Sequence, residues 1–185
     1  PISYMVAQTI SVPCWTPLSR VFGKKRLWLA SMIGTAVGFG CFFLLGAGDI
    51  VPTYVLAFLL GAAAGCGNVI APSVQSDIID WDELRTGERK EGGYFAAFSF
   101  MQKSAAGVTI MLSGVVLQLA GYVPNVAQSE AVQTAIKALY ALFPLSCYLV
   151  GAVMFVRFSL GEKEHEEIRD QLEARRRAEA RDASS

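Results

Sequence analysis

Charged residues are scarce in this sequence and are missing from long stretches of it. Only 17% of the 185 residues are charged, whereas 53% are hydrophobic, and the mean hydropathy is +0.40. Average soluble domains carry about 25% charged residues. From Leu27 to Gly48 there is no charged side chain at all, and about 20 apolar residues suffice for a helix to cross a bilayer. The scarcity of charge therefore excludes an ordinary soluble domain and predicts an integral membrane protein.

Side chains that carry catalysis or bind metals are equally scarce. The only histidine is His165, and the four cysteines each stand alone among apolar residues, with no C-x-x-C pair. We find no nucleophile-base arrangement, metal-ligand spacing or phosphate-binding glycine loop. We therefore expect neither an enzyme nor a metal or disulfide site. The formal net charge of zero argues against nucleic acid as a partner.

The sequence does contain a series of long apolar segments. They run over about 2–18, 27–46, 53–74, 94–120 and 135–158. Their length favours helices, because a membrane barrel shows short segments of alternating hydrophobicity. The predicted fold is all-α, a polytopic membrane bundle of about five transmembrane helices within 1–158. Because the chain starts at Pro1 inside an apolar run, we expect a clipped first helix and a fragment of a longer polypeptide.

Among the connections between these segments, only every second one carries basic residues. The connections 19–26 and 75–93 carry four and three Lys or Arg residues, whereas 47–52 and 121–134 carry none. By the positive-inside rule, the basic connections face the cytoplasm. The tail 159–185 is rich in charge pairs at helical spacing, which predicts a cytoplasmic helix. We expect a multi-pass protein of the cell (inner) membrane with a cytoplasmic C-terminus.

Pairs of glycines one helical turn apart indicate where the helices pack. Gly34 and Gly38 form one such pair, and Gly61 and Gly65 form another. Small residues at this spacing let neighbouring helix backbones approach closely. Four prolines lie in or at the ends of the apolar segments, where each missing N–H can bend a helix: Pro13, Pro17, Pro72 and Pro144. Prolines that the membrane helices merely tolerate are the alternative.

Lys103 is the only charged residue between Glu91 and Glu130, in the middle of an apolar segment. A lysine at the bilayer centre costs at least about 2.5 kcal/mol unless it is paired or hydrated, so such a residue indicates a functional site. We expect Lys103 to face a water-filled cavity, with Ser99 one turn away and Gln102 beside it as substrate or coupling residues. A purely structural ion pair to another helix is the alternative.

The connection 75–93 combines acidic and basic residues at high density. Asp77, Asp80 and Glu91 stand among Arg85 and Arg89. Mixed charges at the mouth of a transporter can form ion pairs that hold one side shut. We expect these five residues to form a cytoplasmic gate. The alternative is a solvated loop, because single surface pairs contribute only about 0 to 1 kcal/mol.

Several of these segments together are similar to one known family. The runs DIIDWDELRTGERKEGGYFA, FMQKSAAG and GYVPNVAQS, with the basic connection PLSRVFGKKR, resemble the glycoside-pentoside-hexuronide:cation symporters, the melibiose-permease-like branch of the major facilitator superfamily. The resemblance implies that the five segments are helices eight to twelve, in the C-terminal half. It implies that Lys103 is the eleventh-helix lysine that takes part in sugar binding and cation coupling. It also implies that Asp77, Asp80 and Arg89 belong to the inner gate.

The resemblance implies a function and a set of partners. We expect sodium- or proton-coupled symport of a sugar or glycoside by alternating access, with the coupling cation bound mainly by the N-terminal half. The expected partners are the lipid bilayer, that N-terminal half and the small-molecule sugar. A non-transporting membrane subunit or scaffold remains an alternative, as does a symporter of a lipid-like substrate.

Overall fold

The computed structural model describes residues 2–46 and 48–157, together with Ile168 and Gln171. Within these residues the chain is helical, and no strand occurs. Its elements are α1 (Ile2–Phe22), α2 (Lys24–Leu44), α3 (Ile50–Thr86), α4 (Glu91–Leu119), α5 (Glu130–Lys137), a π-helical turn (Ala138–Leu142) and α6 (Phe143–Val156). The predicted all-α fold is confirmed. Apart from Ile168 and Gln171, the predicted tail helix lies outside the described residues.

Four stretches of helix are long and apolar enough to cross a membrane. They are α2, α3, α4 and the continuous helix from Glu130 to Val156. These four correspond to four of the five predicted spans. The first predicted span is also a helix, of 21 residues, but it is not among the four candidates. Polar residues such as Gln8, Thr9 and Ser11 lower its hydropathy.

The two basic connections are much shorter than predicted. α1 and α2 are separated by Gly23 alone, which has a positive φ of 84° that favours glycine. The segment predicted as a loop over 75–93 is helical as far as Thr86. Gly87, with a φ of 75°, ends α3 by donating its N–H to the Glu83 carbonyl, as in a left-handed helix cap. Most charged residues of this segment therefore lie at the end of a helix and not in a flexible loop.

Pro144 accounts for the π-helical turn in the last span. Proline has no N–H, so Pro144 cannot donate to the carbonyl of Tyr140 four residues earlier. The Phe143 N–H instead bonds the Ala138 carbonyl, five residues back. The chain stays helical through this wider turn, as π-bulges allow.

Lysine side chains connect helix ends at both ends of the bundle. Lys25, at the start of α2, donates to the Val156 carbonyl at the end of α6, with an Nζ–O distance of 3.1 Å. Lys137 donates to the Leu45 carbonyl just after α2, at 2.9 Å. Positive charge at the C-terminal end of a helix is electrostatically favourable. These contacts hold α2 antiparallel to the last helix, as the alternation of basic connections predicts.

The closest helix packing is between α1 and α3. A side chain at Gly61 would collide with the backbone of Tyr4, and one at Gly65 would collide with Ser11 and the Gln8 carbonyl. The predicted packing role of this glycine pair is confirmed. In the other pair, a side chain at Gly38 would meet Leu60 of α3.

Gly34, in contrast, borders open space. A Cβ placed on this residue would have no atom of the described residues within 4 Å. Among the described residues only Gly38 of that pair contacts α3, and the packing role of Gly34 stays a prediction. Spacing alone does not distinguish the two glycines.

Candidate functional site

A cavity of about 470 Å³ lies between α1, α2, α3, α4 and α6. Ligand pockets typically have volumes of about 300–1,000 Å³. The polar and aromatic side chains in its lining include Tyr4, Gln8, Trp28, Asn68, Gln102 and Tyr148. Five helices thus contribute to one partly polar cavity that is open on one side, where Asn68 and Gln102 are exposed.

Two hydrogen bonds fix α1 against α3 beside this cavity. The Ser11 hydroxyl and the Trp15 indole N–H both donate to the Ala62 carbonyl, at 3.1 and 2.8 Å. They lie one and two turns after Gln8 on α1, on the side where Gly65 permits close approach. This anchoring sets the position of Gln8 in the cavity wall.

Ring contacts hold the aromatic walls of the cavity. The Trp28 ring packs edge-on against Phe155, with centroids 4.6 Å apart. The Tyr148 ring stacks on Phe39, with centroids 6.0 Å apart. Trp28 also borders the small buried cluster of Leu27, Cys66 and Ile70. Both rings are therefore supported by neighbours outside the cavity.

The structure separates the three residues predicted to bind substrate. Gln102 lines the cavity together with Phe98, which lies one turn earlier on α4. Lys103 and Ser99 are exposed on α4 and are not among the residues that line the cavity. No residue of α4 is buried, so much of this helix is open for contacts outside the described part of the chain. The functional roles of Lys103, Ser99 and Gln102 stay predictions.

Four of the five predicted gate residues fall into two groups at the basic end of the bundle, the end that carries the connections 19–26 and 75–93. In the first, Lys24 at the start of α2 pairs with Asp77 of α3, with Nζ–Oδ distances of 2.8 and 3.0 Å. The Asp77 side chain is 13% exposed and that of Lys24 is 28% exposed. This partly buried pair ties the α1–α2 corner to α3.

In the second group, Arg89 bridges α3 and α4. It donates to Glu83 at 2.8 Å and to Glu91 at 3.0 Å, and it lies 3.5 Å from Asp80. The hydrogen bonds to Glu83 and Glu91 raise the pKa of the Arg89 guanidinium above its ordinary value. Arg89 therefore remains charged and links three carboxylates across the α3–α4 connection.

Arg85 lies apart from this ion cluster. Its guanidinium sits over the Trp81 ring, 4.7 Å from the centroid, in a cation–π arrangement. Of the five predicted gate residues, the structure brings Asp80, Arg89 and Glu91 together, gives Asp77 a different partner and leaves Arg85 on an aromatic ring.

Sequence reasoning missed several residues of both sites. Gln8, Asn68 and Trp28 line the cavity, and Glu83 and Lys24 complete the ion pairs. A signal for the amides was available, since polar side chains inside apolar segments usually face a partner or a cavity. Within the described residues, no group of three or more His, Cys, Asp or Glu side chains is placed to hold a metal ion.

Comparison with known proteins assigns a family. The family model described as MFS/sugar transport protein matches residues 1–162. The chain is 33% identical to the uncharacterized symporter YjmB of Bacillus subtilis over 82% of this chain and 33% of the relative. It is 31% identical to the putative sulfoquinovose importer of Escherichia coli, over 86% of this chain and 34% of the relative.

The name of a relative from Danio rerio gives a lipid substrate instead of a sugar. The chain is 28% identical to the sodium-dependent lysophosphatidylcholine symporter 1-A of Danio rerio, over 91% of this chain and 32% of the relative. The chain thus spans about a third of the length of the curated relatives it matches. The match to the family model covers most of the chain, and the helices have the length and hydropathy of membrane spans. This protein is a member of the MFS/sugar transport protein family.

Proposed function

We propose that this chain is the C-terminal part of a secondary active transporter that couples symport of a sugar or glycoside to entry of sodium or protons. The single observation that carries the proposal is the cavity between five helices, most of which are apolar enough to span a membrane. A small-molecule site in the interior of a helical bundle is typical of secondary transporters, in which rigid-body rocking exposes the site to each side in turn.

Lys103 supports the proposal by its position. It lies twelve residues after Glu91, the first residue of α4, which is roughly 18 Å along the helix axis. This depth is near the middle of a bilayer, where a charge needs a polar partner or water. The neighbouring Gln102 reaches the cavity. We propose that Lys103 contributes to substrate binding and coupling together with groups from the rest of the transporter.

The coupling cation is proposed to bind mainly outside this chain. α1 and α2 contain no acidic residue, and those of α3 and α4 lie at their basic ends, from Asp77 to Glu91. Hard cations prefer oxygen ligands, carboxylates foremost. The acidic ligands therefore belong to the N-terminal half, which is the proposed intramolecular partner.

We propose that the basic end of the bundle faces the cytoplasm of the cell membrane and that the ion pairs there form the cytoplasmic gate. The Lys24–Asp77 pair and the Arg89 cluster with Asp80, Glu83 and Glu91 are the gate elements within this chain. Family membership favours transport over catalysis. Relatives named for a sulfonated sugar and for a lysophospholipid widen the range of substrates to be tested.

The experiment is cation-dependent uptake of labelled glycosides by cells that express the full-length transporter. Lys103→Ala and Lys103→Arg are compared with wild type at matched membrane levels. Lys137→Ala is the matched control, because this lysine bonds the Leu45 carbonyl away from the cavity. We expect Lys103→Ala to abolish uptake and Lys137→Ala to retain it. Full uptake by Lys103→Ala would show that this lysine is structural, and no cation-dependent uptake by wild type would refute the proposed function.

A further inference from the structure

The connection between α4 and α5 is held in one shape by its own hydrogen bonds. The Gln128 side chain donates from Nε2 to the carbonyls of Val123 and Val126, at 2.6 and 2.7 Å, and its Oε1 accepts from the Val123 N–H at 3.4 Å. The Ser129 hydroxyl caps the start of α5 by accepting from the Val132 N–H. A connection whose backbone groups are bonded locally opens less readily than a solvated loop.

The beginning of this connection is equally well bonded. Gly121, with a positive φ of 81°, donates its N–H to the Gln118 carbonyl, and the Tyr122 N–H donates to the Leu117 carbonyl, at 3.1 and 3.0 Å. This pair of bonds is a glycine cap of the kind that commonly ends a helix. α4, the connection and α5 therefore form one unit, which we call the α4–α5 arm (91–137).

The α4–α5 arm and the rest of the last span differ in how closely they are packed. No residue of α4 is buried, and a Cβ at Gly107 or Gly114 would have no atom of the described residues within 4 Å. In contrast, a Cβ at Gly40 of α2 would lie 2.9 Å from the Cδ1 of Leu145 in α6. The continuous helix from 130 to 156 thus has one end in a loosely packed unit and the other end fixed against α2.

The π-helical turn lies where these two parts meet. It occupies Ala138–Leu142, directly after α5 and directly before α6. Tyr140 in this turn packs edge-on against Phe39 and Phe42 of α2, with ring centroids 6.3 and 5.4 Å apart. The turn itself is therefore held by α2, whereas α5 on its N-terminal side is joined to α4.

A π turn is a suitable point for a helix to bend. It contains one residue more than an α turn, so moving or losing it rotates the preceding helix by about 100°. Sharp kinks in helices occur at proline and at π turns, and Pro144 follows this turn directly. Even a bend of about 20° moves the start of α5, eight residues away, by about 4 Å.

The position of the α4–α5 arm determines the shape of the cavity. Phe98 and Gln102 of α4 line the cavity, and Tyr148 lines it from α6. Tyr148 stacks on Phe39, the same ring that contacts Tyr140. We propose that the π-helical turn is a hinge on which the α4–α5 arm swings as one unit, widening and narrowing the cavity. This inference rests on the proposed transport function, for which the hinge provides a moving part.

The test measures distances between spin labels in the full-length transporter in nanodiscs, without ligands and then with sodium and a panel of methyl glycosides. Labels at Val123 and Val150 join the arm to α6, and labels at Val37 and Val153 join α2 to α6 as the control. All four side chains are exposed. Attachment through an unnatural amino acid leaves the native cysteines in place. We expect a spread or shift of about 4 Å or more for the arm pair and one narrow distance for the control pair.

Variants then locate the hinge. Pro144→Ala restores an N–H donor and is expected to reduce the arm pair to one distance and to lower the maximal uptake rate by about fivefold or more. Pro17→Ala is the matched control, since Pro17 is an exposed proline of α1 outside the cavity lining, and both measurements should match wild type. Labels at Met111 and Ile136, both within the arm, should give one narrow distance that Gln128→Leu broadens.

The outcomes separate this inference from the function on which it rests. One narrow distance between Val123 and Val150 under both conditions overturns the hinge, even where uptake is observed. A spread that persists in a Pro144→Ala variant with an α-helical turn also overturns it. A broad distance between Met111 and Ile136 in wild type overturns the claim that α4 and α5 move as one unit. Hinge motion without cation-dependent uptake refutes the proposed function and leaves the hinge in place.

Discussion

Replacing single glycines with alanine tests whether α1 and α3 are held together by backbone contact. The substitutions are Gly61→Ala on α3 and Gly34→Ala on α2. At Gly61 the new Cβ would lie 2.8 Å from the Tyr4 carbonyl carbon and 2.9 Å from its Cα. Since these are backbone atoms, the collision is relieved only if α1 moves. At Gly34 the new Cβ has no atom within 4 Å in the part of the chain that the structure describes.

The difference between the two variants isolates the cost of this collision. Both gain roughly 1 kcal/mol from the higher helix propensity of alanine. Only Gly61→Ala adds overpacking strain, which typically costs about 1–3 kcal/mol. The matched segment is only 33% of the relative's length, and for a transporter of about 500 residues 1 kcal/mol shifts Tm by roughly 1 °C. Gly61→Ala should therefore melt roughly 1–3 °C below Gly34→Ala. Gly38→Ala should fall between them, because its Cβ meets the flexible Leu60 side chain at 2.6 Å.

The assay is thermal unfolding of the full-length transporter in one detergent at one scan rate, because membrane protein unfolding is often irreversible. Wild type is measured beside each variant. Equal Tm values for Gly61→Ala and Gly34→Ala would refute the claim that the bundle depends on α1–α3 backbone contact. A lower Tm for Gly34→Ala would instead indicate that α2 packs closely against another part of the transporter.

Further predictions concern the ion pairs and the π-helical turn. A double-mutant cycle on thermal stability with Lys24→Met and Asp77→Asn should give a coupling energy of about 1–3 kcal/mol. This value lies between the ranges for exposed and buried ion pairs, because the Lys24–Asp77 pair is partly buried. Additive effects of the two substitutions on stability would rule out a direct interaction. Arg89→Gln should slow uptake more than Arg85→Gln, since only Arg89 links α3 to α4; equal losses would contradict this. Pro144→Ala restores an N–H donor and should convert the π turn to α-helix, raising Tm by a few degrees; a π turn that persists in a structure of the variant would show another cause.

Much of the fold could be predicted because the bilayer imposes simple constraints. The span 27–46 corresponds closely to Lys24–Leu44, and 94–120 to Glu91–Leu119. In these segments, helix length, hydropathy and the lack of charge all point to the same structure. Their ends could be placed to within about three residues from composition alone.

The connections were harder to predict because charge does not determine backbone conformation. The segment from Gln75 to Thr86 is highly charged, yet it is helical. Glu83 and Arg85 are good helix formers, but the three aspartates of this segment are poor ones, so local propensity alone does not predict the helix. Only Gly87, with its left-handed conformation, gives a local signal for the helix end.

The site could be predicted only in part, because its lining depends on how helices pack. Lys103 stands out in the sequence as a lone charge, but its exposure on α4 depends on which helices contact that face. Gln8 and Asn68 are 60 residues apart in the sequence and share a cavity because α1 lies against the glycines of α3. The spacing of residues within one segment does not predict which residues of different helices share a cavity.

The unequal packing of α4 has a consequence for local stability. α1, α2 and α3 are joined by a one-residue corner, two hydrogen bonds to one carbonyl and a partly buried ion pair, whereas α4 has no buried residue. Segments with few buried contacts open at the lowest free energy. In this chain taken without the proposed N-terminal half, backbone amides in the span that holds Lys103 should therefore exchange with deuterium sooner than those of α3. Because Phe98 and Gln102 belong to that span, ligand binding in the cavity should slow exchange most in α4.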